Sequence, residues 1–230
     1  SKEESNISNS YRIHYNKFYN EIKKAKNLTQ LLYILEKYLW CVPVYDKDGI
    51  HDVSIFEHFL NSAAIALCLY DQYEKGYLTE MDIDNIYENE KEQFILINGD
   101  VSGIQDFIMN VSSKGAAKSL KSHSVYISLI TDIVVNYIID SLDLKDGNLL
   151  YNGGGNFFIL APKHLEKKVE EVKKDILFKL LTAHDGDLYF AIDYIYLTTK
   201  DFIDFPYQWQ KAVEKTNIQK YSKWKEIEDR

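Results

Sequence analysis

Asp100 closes an apolar run in "QFILINGDVSG", and Ser102 and Gly103 follow it closely. Further along, Gly153, Gly154, Gly155 and Asn156 sit between two more apolar runs in "LLYNGGGNFFILA". These residue types suit a phosphate. Glycine-rich turns present bare backbone N–H groups, and a helix opening at Ser102–Gly103 would add its positive end. A carboxylate such as Asp100 is an ordinary ligand for a hard divalent cation, whereas the neutral amide of Asn156 is a poor one. The set reads as a place that holds a nucleotide without activating the attacking hydroxyl. Lys114, Lys118 and Lys121 open the next helix and can neutralise phosphate if that helix starts near the same surface.

Plainer readings of the same residues stand beside this one. A glycine-rich hairpin is often only a hairpin, and Asn-Gly is a favoured turn pair. Ser102 suits a helix cap, with Gln105 completing a capping box. Asp100 beside Gly99 is a turn-former. The three lysines also fit a solvated helix face.

The elements that must position these residues follow from periodicity. Residues 11–40 carry Phe18, Ile22, Ala25, Leu28, Leu32, Leu35 and Leu39 at helical steps. Pro43 and Gly49 break that pattern. A second helix follows, capped by Ser54 with Glu57 as box partner and stopped at Gly76. Residues 81–93 read as an acidic linker. From residue 94 the order is strand, helix, strand, strand, helix, strand. The first helix covers about 116–142, "NLLYN" and "NFFILA" flank the glycines, a helix follows Pro162, and "DLYFAIDYIYL" is the last strand. That order predicts an α+β, ferredoxin-like domain over 94–200. Both helices would share one face of an antiparallel sheet. Its first strand would lie near the hairpin, bringing "GDVSG" to "GGGN". Polymerase and nucleotide-cyclase palms have this layout, with acids in the hairpin for two metal ions. Residues 201–230, with Phe202, Phe205, Trp209, Val213, Tyr221 and Trp224, read as the start of a following helical domain.

Composition sets outer limits. The chain has 230 residues, 46% of them hydrophobic, which allows a substantial core. A net charge of -8 argues against a broad nucleic-acid groove on this chain by itself. Cys41 and Cys68 have no metal spacing and read as reduced core residues. No apolar run approaches the roughly 20 residues of a membrane span. The first residue is not Met, and both ends read as internal to something longer. His14, His123, His164 and His184 show no ligand spacing and read as surface residues.

Three blocks in order, "INGDVSGIQDFI", "KGAAKSLKSHSVYISLI" and "LLYNGGGNFFILAP", carry a family resemblance. The sequence resembles the large multidomain subunit of type III CRISPR effector complexes, particularly the Csm type. "WCVPVY" and "HDVSIFEHFLNSAAIALCLY" resemble the segment preceding the first of that subunit's two palms. The resemblance implies that 1–80 is the C-terminal part of a permuted HD-type domain and 94–200 the first palm. It implies a parent that makes cyclic oligoadenylates from ATP when its complex binds target RNA. An HD nuclease for single-stranded DNA is often present too.

By motif position, the implied nucleotide-facing residues are Asp100, Ser102, Gly103, Gly154, Gly155 and Asn156, with Lys118 further out. The metal-bearing GGDD hairpin belongs to the second palm in that family and does not occur here. Mg or Mn would be supplied mainly there, and this chain alone would be inactive. His58 would be one ligand of an intact HD site, or a packed helix residue. His51–Asp52 only looks like the HD pair. Implied partners are the second palm, other Csm-type subunits, and CRISPR RNA and target RNA through the complex. The implied setting is the prokaryotic cytoplasm, with no membrane. A palm that has become only a scaffold for these partners is the alternative.

Overall fold

The computed structural model describes residues 2–44, 53–88, 90–103 and 116–227. The chain divides into two compact units, 1–63 and 64–230. In the first unit, α1 (Lys2–Ile22) and α2 (Leu28–Leu39) pack as a pair. Periodicity alone runs one helix through 11–40, but the chain breaks at Asn27. Its side chain accepts from Gln30 N at 2.8 Å, and Gln30 Oε1 accepts from Lys26 N at 2.9 Å. Such reciprocal capping starts a new helix. His14 Nε2 meets Tyr38 O at 2.8 Å across the pair. Cys41 is exposed, against the expectation of a core residue.

Helix α3 (Ile55–Glu74) starts where Ser54 Oγ accepts from Glu57 N at 3.0 Å. It ends before Gly76, whose φ of 75° is the left-handed geometry of a helix stop. Within the expected linker, α4 (Glu80–Asp84) is a single turn held by a Thr79–Asp82 capping box.

The second unit is built on four antiparallel strands. They are β1 (Phe94–Ser102), β2 (Leu149–Gly153), β3 (Asn156–Pro162) and β4 (Tyr189–Leu197), in the spatial order β2-β3-β1-β4. Helices α5 (Ala116–Ser141) and α6 (Glu166–His184) lie on one face. Ile127, Val134 and Ile138 of α5 and Val169, Ile176 and Leu180 of α6 pack there against Ile95, Ile97, Phe157, Ile159 and Phe190. By length and composition, residues 121–141 could cross a membrane, against the expectation that no apolar run approaches that length. Here their apolar stripe packs on the sheet.

Helix α7 (Phe205–Gln219) covers the opposite face. Ala212, Trp209 and Val213 pack with Phe94, Leu96, Phe158 and Leu160, joined by Ala64 and Cys68 of α3. Trp209 stacks on Phe158 with ring centroids 3.4 Å apart. Cover on both faces explains why β1 and β3 read as nearly continuous apolar runs. Cys68 is fully buried, and that burial pushes its thiol pKa up.

His164 follows β3 and contradicts its surface reading, with only 8% of its side chain exposed. The ring stacks on Tyr77 at 4.3 Å and lies 3.2 Å from Asp71 Oδ2. Burial lowers its pKa, outweighing the pull of Asp71 in the other direction. The neutral form is therefore favoured in the folded state. Its contribution to stability is present above the ordinary histidine value of about 6.5. It is lost as pH falls through the depressed folded value. His164→Gln is expected to reduce the loss of stability between about pH 7 and pH 5, measured by urea midpoints. An unchanged pH slope would exclude His164 as a source.

Candidate functional site

The site forms where β1 ends beside the hairpin. Asp100 and Asn156 are direct partners in the β1–β3 ladder. One step on, Val101 N donates to Gly155 O at 2.9 Å. The segments "GDVSG" and "GGGN" therefore share one sheet edge. A two-residue turn, Gly154–Gly155, joins β2 to β3, with φ of 64° and 88°. Positive φ at both central positions is what the twist-matched hairpin turn demands, and glycine meets it without strain. Among the described residues a Cβ on Gly154 would have nothing within 4 Å, so they leave the space there open.

Alternation in β1 puts Asn98, Asp100 and Ser102 on the face that α7 covers. Asn98 is fully buried and donates from Nδ2 to Phe157 O at 3.0 Å and to Asn156 Oδ1 at 3.4 Å. Its own Oδ1 is buried without a hydrogen-bond partner among the described residues. Ser102 is half-buried and pairs in register with Tyr189 of β4. Gly103 has a φ of 92°, and a Cβ there would lie 2.9 Å from Asp187 O. The backbone of Lys118 is in α5, but its side chain lies outside the described residues, as does the helix expected to open at Ser102. Lys121 is exposed.

Asp100 is an ion-pair partner of Lys220, which follows α7 directly. Lys220 also donates to Asn217 Oδ1 at 2.9 Å. Neither Lys220 nor Asn98 was among the residues expected from the sequence. Asn98 carried a signal, since it is a polar residue on the alternating face of an apolar run. Lys220 carried none, because nothing in a helical charge pattern names a strand residue far upstream.

His58 is exposed on α3, beside Phe59. Among the described residues no three His, Cys, Asp or Glu side chains could hold a metal ion. His51 and Asp52 lie outside the described residues.

Residues 93–230, more than half of the chain, match the family described as Csm1 subunit domain B. A single-strand-specific deoxyribonuclease Cas10/Csm1 of CRISPR subtype III-A, from Methanocaldococcus jannaschii, is 32% identical over 250 residues. The match covers 96% of this chain and 30% of that protein. The Cas10/Csm1 of Streptococcus thermophilus is 37% identical over 185 residues, covering 76% and 24%. A solved Csm1–Csm4 cassette in complex with pppApA aligns with a TM-score of 0.82 at 31% identity, covering 95% of this chain and 31% of that one. A cassette in complex with one ATP aligns at 0.80 with 31% identity, covering 95% and 30%. These are components of type III-A CRISPR systems.

The chain belongs to the Csm1 family, and it spans about 30% of the length of the M. jannaschii relative.

Proposed function

We propose that residues 94–200 are a ferredoxin-like palm and the nucleotide-holding half of a cyclic oligoadenylate synthase. The strand order β2-β3-β1-β4, with α5 and α6 on one face, supports the palm reading. The observation that carries the nucleotide reading is the pairing of Asp100 with Asn156 and of Val101 with Gly155. It gathers two glycine-containing segments, a hydroxyl and an amide at one edge with open space at Gly154. Asp100, Ser102, Gly103, Gly154, Gly155 and Asn156 would contact ATP, with Lys118 further out. Solved relatives at similar identity hold ATP, AMPPNP and cyclic adenylates.

In this reading a second palm in the same subunit supplies the acidic hairpin and the Mg or Mn that activates the attacking hydroxyl. This chain alone binds and orients one nucleotide and does not turn over. The subunit works in the prokaryotic cytoplasm with Csm4-type partners, CRISPR RNA and target RNA. It also carries the single-stranded DNase activity of its relatives.

Isothermal titration of the intact subunit with ATP tests the assignment. The Ser102→Ala, Asn156→Ala double variant is expected to lose about ten-fold in affinity at one of two ATP sites. Unchanged affinity at both sites refutes it.

A scaffold reading has one observation in its favour: the turn geometry alone accounts for Gly154 and Gly155. In that case the double variant leaves both ATP affinity and oligoadenylate output intact. A bulky residue at Gly154 would then break docking of the second palm.

A further inference from the structure

Helix α7 and strand β1 run together in matched steps. Four helical residues advance about 6 Å and two strand residues about 6.6 Å. Ala212, Thr216 and Lys220 accordingly fall beside Leu96, Asn98 and Asp100. Ala212 and Leu96 share a buried core. Thr216 Oγ1 lies 3.5 Å from Asn98 O. Lys220 pairs with Asp100, and their side chains are 25% and 26% exposed, at the rim between that core and the open edge.

This arrangement does not fit a divalent cation on Asp100. Such an ion wants several anionic or strongly polar oxygens. Here an ammonium already sits on the carboxylate, and the hairpin brings only Asn156, whose Oδ1 faces the Asn98 amide. A second cation on Asp100 would meet the like charge of Lys220 at close range. Lysine carries three N–H donors. Among the described residues Lys220 spends them on Asp100 and Asn217, which leaves one for another acceptor.

We propose that Lys220 is the resident cation of this edge, holding Asp100 in place of a divalent ion and offering its remaining N–H to a nucleotide phosphate. The proposal rests on the nucleotide reading above for its ligand, a nucleoside triphosphate. It adds that binding at this edge needs no metal. A lysine ammonium is an ordinary point-charge partner for phosphate.

Two measurements on the intact subunit test it: ATP affinity in excess EDTA, and Mn²⁺ binding without nucleotide followed by electron paramagnetic resonance. Lys220→Met is expected to lower metal-free ATP affinity at one site by about ten- to a hundred-fold. It should also admit weak Mn²⁺ binding at Asp100, which then has only its carboxylate and Asn156 to offer, and that signal should disappear in the Asp100→Asn, Lys220→Met double variant. Lys220→Arg keeps the charge and should keep metal-free ATP affinity within about three-fold, with no new Mn²⁺ site. If Lys220→Met melts early, the Arg variant decides alone, and loss of metal-free ATP binding there overturns the proposal.

Two failures are distinguishable. If Ser102→Ala, Asn156→Ala abolishes one ATP site and Lys220→Met changes neither readout, Lys220 is not the cation and the nucleotide reading survives. If neither variant alters ATP binding and Lys220→Met still gains Mn²⁺, the nucleotide reading fails. Exclusion of metal by Lys220 is then supported.

Discussion

Gly99→Ala destabilises the sheet by about 1–3 kcal/mol, although alanine is intrinsically the better strand residue by roughly 0.5–1 kcal/mol. The two effects have opposite signs, and geometry decides between them. Gly99 faces Phe157 directly in the β1–β3 ladder. A Cβ on Gly99 would stand 2.1 Å from both Cε1 and Cζ of the Phe157 ring. That ring is fully buried in the core beneath α5 and α6, with Phe190 at a centroid distance of 6.2 Å. It covers the bare glycine backbone, as aromatics do for strand glycines. Such a ring has no free volume to retreat into, because interiors are close-packed. Chemical denaturation of the intact protein should show a lower urea midpoint at unchanged slope. Gly99→Ala, Phe157→Leu should recover part of the loss that either change alone produces, since the smaller side chain vacates the contested volume. An equal or higher midpoint for Gly99→Ala would mean the ring is not held there. The site would follow, because Asp100 is the next residue in the same register.

The contrast between what could and could not be read in advance has physical causes. β1, β3 and β4 were legible because apolar runs bounded by Gly, Pro and Asp have few alternatives. The approach of Asp100 to Asn156 was legible because helix and strand order leave few antiparallel arrangements. The packing of α7 was not. Trp209, Val213 and Phe205 announce an apolar stripe, but a stripe does not name the surface it covers, and the sheet's second face was the available one. Lys220 stayed hidden for the same reason, since its partner is chosen by where α7 lies. His164 looked like a surface residue because polarity was the only guide, whereas Tyr77 and Asp71 enclose it.

The glycine hairpin shows a different limit. Turn geometry and ligand space both ask for a missing Cβ, so a sequence cannot separate them. The angles at Gly154 and Gly155 show that the turn needs glycine at both. A nucleotide, if it uses the open space at Gly154, uses room the turn had already created.

Asn98→Asp will cost several kcal/mol at neutral pH and much less in acid. Asn98 is fully buried, and its amide donates to two acceptors, Phe157 O and Asn156 Oδ1. An ionised carboxylate has no donor, so both contacts become repulsive, and Asp100 adds a like charge on the same face. Thr216 of α7 reaches only the backbone O of Asn98, Asp193 stands opposite on β4 as a second like charge, and the two lysines nearby are engaged, Lys215 with Asp193 and Lys220 with Asp100. Leaving a buried charge without a partner costs on the order of 3–5 kcal/mol. The protonated acid, by contrast, keeps an O–H that can donate to Phe157 O. The new group's folded pKa is therefore raised above its unfolded value of about 3.9. Folding then favours the protonated form. The variant stands nearest to wild type below that value and loses ground as pH rises toward the folded pKa, where the difference levels off. Urea midpoints of variant and wild type, compared from about pH 4 to pH 8, should diverge upward through this window. A constant difference across the range would place the new carboxylate in contact with solvent or with Lys220. The closed packing of α7 over β1, on which the Lys220 assignment also depends, would then be wrong.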